Sequence, residues 1–114
     1  MNKPLRIEFH GLEPSDAVEP HVRERIAALE RLFPQMTGCR VAIELPHKHH
    51  QQGKRFDVKI EITVPGRELV VNREHQHEDV YVALRDSLDA AKRQLDGFAR
   101  TQRGEVKHHT DTAG

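Results

Sequence analysis

Two sets of basic residues in this chain could hold phosphate. The first lies in residues 78–103, EDVYVALRDSLDAAKRQLDGFARTQR, along which Arg85, Lys92, Arg93 and Arg100 recur. The second is PHKHHQQGKR at 46–55, which carries Lys48, Lys54 and Arg55 and no carboxylate. Structured RNA is recognised largely through phosphate and 2′-hydroxyl contacts, so a local patch can suffice even on a neutral protein. The plain alternative for the first set is a solvated helix face. Asp89 precedes Arg93, and Asp96 precedes Arg100, by four residues, the spacing of helical ion pairs.

Histidines form a third group. His47, His49 and His50, with His75 and His77 spaced i, i+2 on one strand face, could offer imidazoles to a metal. There is a single cysteine, and two loops would have to be ordered together, so solvated loop residues are the simpler reading. No metal or other cofactor is expected. An imidazole gains charge as pH falls through about 6.5, which suggests RNA binding that strengthens on acidification. Catalysis finds little support. There is no phosphate-cradling Gly-rich loop and no Cys-His or Ser-His-Asp arrangement, and the chain is not read as an enzyme.

These residues need elements to position them. Leu5, Ile7 and Phe9 alternate with Arg6, Glu8 and His10, as in a half-buried strand over 5–10. Val18, Val22, Ile26, Leu29 and Phe33 then follow at helical spacing, with Ser15 or Asp16 as a cap and Pro34 as the stop. Pro20 implies that this helix begins late or bends. Strands are expected over 40–45, with Val41, Ile43 and Leu45 inward, and over 56–64, with Phe56, Val58, Ile60, Ile62 and Val64 inward. Pro65-Gly66 fits a type II turn, and 68–74 is the returning strand. Tyr81, Leu84, Leu88, Ala91, Leu95 and Phe98 make the apolar stripe of a long final helix, with Tyr81 in the core and its hydroxyl at the rim. At roughly 39 Å this helix exceeds a strand of about 17–20 Å, so its basic C-terminal turns should overhang the sheet.

The order is β-α-β-β-β-α. A right-handed first crossover makes strands one and two parallel neighbours, and two hairpin connections complete an antiparallel remainder in the order 1-2-3-4. Both helices cover one face and the other is polar, giving an α+β two-layer sandwich. The topology gathers His10, His47, His49, His50, His75 and His77 at one sheet edge, with Lys48, Lys54, Arg55 and Arg73. The folded domain is expected over 1–104, followed by a flexible polar tail at 105–114.

Composition sets outer limits. The 114 residues suit one domain, and 32% charged residues sum to zero formal charge, which argues against a purely electrostatic nucleic-acid coat. Cys39 is alone, so a reducing cytoplasm fits. MNKPLRIEFHG lacks the apolar run of a secretory signal, and no stretch has the ~20 apolar residues of a membrane span.

The α-β-β-β-α portion resembles double-stranded-RNA-binding domains, with an extra leading strand. Asp79, Val80, Tyr81, Ala83, Leu84 and Arg93-Gln94-Leu95 resemble the second helix of the bacterial ribosome hibernation-promoting factor and ribosome-associated inhibitor (protein Y) family. Asp16-Ala17, Val22, Ala28-Leu29-Glu30 and Phe33 resemble its first helix, and the likeness spans about residues 5–103. The resemblance implies a short cytoplasmic member that occupies the mRNA and tRNA channel of the small subunit, in free subunits and 70S ribosomes. It would contact 16S rRNA and silence translation in stationary phase or stress. A separate small ribosome-dimerising partner acts with some short members. On this reading Lys48, Lys54, Arg55, Arg85, Lys92, Arg93 and Arg100 contact RNA. Ala90 and Gly97 stand where relatives often carry a basic residue, and neither Pro20 nor so His-rich a loop is typical. These departures motivate the alternative of a protein-interaction or regulatory module that has lost rRNA binding.

Overall fold

The computed structural model describes residues 1–46, 55–72 and 76–104. Six elements follow in the expected order: β1 (Arg6–His10), α1 (Val18–Leu32), β2 (Gly38–Glu44), β3 (Asp57–Val64), β4 (Arg67–Val71) and α2 (Val80–Gln102). The sheet runs β1-β2-β3-β4, with β1 parallel to β2 and the other pairs antiparallel. The alternation has a direct physical outcome. Val41, Ile43, Val58, Ile60, Ile62 and Val64 point to one face and are buried. Val22, Ile26 and Leu29 of α1, with Leu84, Leu88, Leu95 and Phe98 of α2, complete the same core. Burying a side chain of this kind stabilises by about 1.5–3 kcal/mol.

Local chemistry sets the ends of the elements. Gly66 has φ +85°, the left-handed conformation that the second central position of a type II turn requires. Asp79 caps α2 by accepting from the Tyr81 N–H at 2.9 Å. The Ser15 hydroxyl accepts from the Val18 N–H at 3.1 Å at the start of α1. Pro20 is met by the late start, since α1 begins only at Val18. It is the third residue of α1, where its missing N–H has no helical acceptor, and Asp16, four residues back, lies outside the helix.

Several expected boundaries move. Leu45 lies beyond β2, half-buried, with its N–H on the His10 carbonyl at 2.9 Å. Phe56 is only half-buried and forms a lone bridge with His77, and β4 stops at Val71. Asp57, on the sheet face expected to be polar and open, is buried at the end of the strand. The last turn of α2 is exposed from Arg100 onward. Just before it, Phe98 and Ala99 are buried in the same core as Phe33 and Met36. On the opposite flank of α2, the Gln94 side-chain amide donates to the Val70 carbonyl of edge strand β4 at 2.9 Å.

Candidate nucleic-acid interface

The helices α1 and α2 run in the same direction on one side of the sheet. Their first turns meet where the His21 and Tyr81 rings pack edge to face, with centroids 4.9 Å apart. At the other end, Leu32, Phe33 and Pro34 line a cleft of about 360 Å³ with Lys92, Asp96, Arg100 and Arg103. A groove therefore runs between the two helices. A helix turns about 100° per residue, which puts Tyr81, Arg85, Lys92 and Arg103 within roughly 40° of one another, facing α1. Arg100 lies about 60° further round yet still lines the cleft, and Arg93 lies about 20° beyond Arg100, outside it. From α1, His21, Arg25 and Leu32 fall on the flank that faces α2.

The charges of the groove are largely unneutralised. The i, i+4 pairs Asp89–Arg93 and Asp96–Arg100, which the spacing permits, are not formed. Lys92, Arg93 and Arg100, like Arg25 on α1, make no ion pair among the described residues. Arg85 reaches only its neighbour Asp86, at 3.2 Å, and that pair is exposed. Glu19–Arg23 on α1 does close an i, i+4 pair, at 3.0 Å.

The outer sheet face is the opposite case. Register places Arg40 beside Glu61 of β3 and diagonal to Glu8 of β1. Its guanidinium grips Glu8 at 2.8 and 2.9 Å and Glu61 at 3.1 Å. Lys59 adds 3.3 Å to Glu61, while Arg6 and His10 sit 3.2 and 3.1 Å from Glu8. The Arg40 and His10 hydrogen bonds pull the Glu8 carboxyl down to about 2. Burial works against the charge of Glu61, but bonds from Lys59 and Arg40 outweigh it and its carboxyl also falls below the ordinary value. The same two carboxylates hold Arg40 more firmly protonated.

The expected RNA-contact residues thus divide. Arg85, Lys92 and Arg100 share the groove, Arg93 lies on its outer shoulder, and Arg55 is exposed at the sheet end near His10 and His77. Lys48, Lys54, His47, His49, His50, Arg73, His75 and the tail 105–114 lie outside the described residues. Among the described residues no group of three or more His, Cys, Asp or Glu could hold a metal, and no helix is long and apolar enough to cross a membrane. Burial pushes the Cys39 thiol up to about 12, which removes thiolate chemistry at neutral pH. Tyr81 corrects the expectation of a core ring. It is 40% exposed, because it stands at the border of the buried stripe in the first turn of α2, and the stripe becomes fully buried only at Ala83 and Leu84. The sequence reading also missed His21 and Arg25, whose importance depends on the docking of a helix some 60 residues away.

A family model described as sigma 54 modulation protein / S30EA ribosomal protein matches residues 5–103. The chain belongs to this family. It is the hibernation-factor and protein Y family that the two helices resemble. One member, the ribosome hibernation promoting factor of Azotobacter vinelandii, is 36% identical over 93 residues, covering 80% of this chain and 78% of the relative. The ribosome hibernation promotion factor of Deinococcus radiodurans is 28% identical over 93 residues, covering 82% of this chain but 47% of the relative, so the chain spans about half of that longer family member. The fold is also that of the Thermus thermophilus Protein Y N-terminal domain. The TM-score is 0.67 at 23% identity, over 86% of this chain and 99% of that domain.

Proposed function

We propose that this family member is a ribosome-associated translation inhibitor that lays the α1–α2 groove on 16S rRNA in the mRNA and tRNA channel of the small subunit. It silences idle ribosomes under stress or in stationary phase by occupying that space, without a chemical step. The observation that carries the reading is the row Arg85, Lys92 and Arg100, which the fold aligns along one groove and leaves largely unneutralised. A row of cations that is mostly unpaired, on a neutral protein, fits a polyanion whose charges recur along a strand. Family membership supplies the ribosome: the relatives' names, ribosome hibernation promoting and promotion factor, associate this fold with it.

The test is co-sedimentation of the purified protein with 30S, 50S and 70S particles on sucrose gradients at low and raised salt. Salt-sensitive co-migration with 30S and 70S, but not 50S, is expected. No migration with 30S or 70S even at low salt would overturn the reading in favour of an interaction module.

A further inference from the structure

The entrance of the groove holds a site of a different character. Tyr81 is the chain's single tyrosine, tryptophan is absent, and core aromatics are scarce, yet this ring is left 40% exposed. It is also held in place. The His21 ring packs against it at an interplanar angle of 86°, and Tyr81 still keeps 40% of its surface exposed. With Arg25, Val82 and Arg85 the two rings line a cleft of about 280 Å³. The α2 N-terminus offers no competing anion site, because Asp79 already occupies the Tyr81 N–H. The cleft therefore combines an oriented, part-exposed aromatic ring, an apolar side chain and two guanidiniums. Arg25 has no ion pair among the described residues, and Arg85 is joined only to exposed Asp86.

We propose that this cleft takes one unpaired nucleotide of RNA, its base stacked on Tyr81 and its phosphates on Arg25 and Arg85. The proposal deepens the rRNA reading and rests on it for the biological ligand. It adds a demand that a purely cationic groove does not make, namely a base free of its own helix. Stacking tolerates any base because every base offers a π-face, whereas phosphate contacts alone do not distinguish paired from unpaired strands. A peptide would use the aromatic ring and Val82 but would have no general need for two adjacent guanidiniums.

Tyr81 supplies its own probe, since intrinsic fluorescence in this protein reports on that ring alone. Titration with a single-stranded hexaadenylate should quench it saturably. A self-complementary RNA duplex should quench weakly and inorganic tripolyphosphate not at all. Separately, Tyr81→Leu should lower affinity for 30S subunits about 5- to 150-fold with an unchanged salt slope, while Tyr81→Phe binds like the parent. Thermal unfolding of Tyr81→Leu checks that the fold is kept.

Absence of quenching by hexaadenylate, or equal quenching by tripolyphosphate, overturns the nucleotide site. So does loss of 30S affinity in Tyr81→Leu without any quenching by hexaadenylate, which would indicate contact with a ribosomal protein instead. If 30S binding persists in Tyr81→Leu but fails when Arg85, Lys92 and Arg100 are replaced, the stacking proposal falls and the rRNA reading stands. Quenching by hexaadenylate with no 30S binding under any salt reverses that result: the nucleotide site stands and the ribosomal reading falls.

Discussion

The outer sheet face and the interhelical groove are built from the same residue types and meet opposite electrostatic fates. On the sheet, register sets Arg40 between Glu8 and Glu61, and the neighbouring charges fold into one network. Along α2, Asp89 and Asp96 stand at pairing distance in sequence from Arg93 and Arg100, yet the pairs stay open. The cause is geometric. Cross-strand neighbours are held a few ångströms apart by the ladder, whether or not their charges attract. A helical i, i+4 pair must immobilise two long side chains in water for about 0.3–0.5 kcal/mol. Charge on the sheet face therefore serves stability, and charge in the groove is available to a partner.

The comparison breaks most visibly if the groove is emptied. Replacing Arg85, Lys92 and Arg100 with Gln should lower 30S affinity roughly 100-fold near 0.1 M salt and flatten the salt dependence by about one unit of slope per lost phosphate contact. Stability should stay within about 0.5 kcal/mol, as for surface substitutions generally. A large drop in melting temperature in this variant would show that the groove cations hold the fold after all.

Arg40→Met should give the converse result. It leaves Glu8 and Glu61 close together without their shared cation, at a cost of about 1–2 kcal/mol for a half-exposed network, with 30S affinity unchanged. Urea unfolding alongside co-sedimentation checks both halves. The same network predicts acid sensitivity. The folded Glu8 carboxyl sits near 2 against an ordinary 4.5. Its contribution is complete above about 4.5 and is lost as pH falls toward 2, because the unfolded chain takes up the proton first. Stability measured from pH 5 to 2 should fall in the parent and fall less steeply in Arg40→Met.

The smallest expected effect lies between the two faces. The Ser87 hydroxyl is fully buried in α2 and has no hydrogen-bond partner among the described residues. Ser87→Ala should stabilise by about 1 kcal/mol, by removing an unmet donor and raising helix propensity, and should leave both faces as they were. Thermal unfolding is the measurement. A loss of stability would mean that the hydroxyl does have a partner.

Most of the architecture was legible in the sequence because a sheet buried on one side writes its period into the chain. Val58, Ile60, Ile62 and Val64 could face inward only together. One handedness rule and two hairpin connections then fixed the strand order. Membership of the family could be read from scattered residues of two helices. What was not legible depends on rotation and docking. Tyr81 falls at the border of a stripe, where a few degrees decide between core and solvent. His21 and Arg25 carry no local signal, since their neighbours come from the far end of the chain. Nor does spacing reveal which ion pairs form. Glu19–Arg23 and Asp96–Arg100 share the same interval, yet only the first closes.

The bond from Gln94 to the Val70 carbonyl bears on how this protein behaves when abundant. Edge strands offer free backbone groups that recruit strands from other molecules, and aggregation begins there. Here the helix that carries the cationic row also occupies an acceptor on the β4 edge from its opposite flank. Holding α2 against β4 thus blunts a template for polymerisation. A chain proposed to act by filling space must be present in numbers that match its targets, and each covered edge acceptor makes strand-to-strand pairing of its copies less favourable.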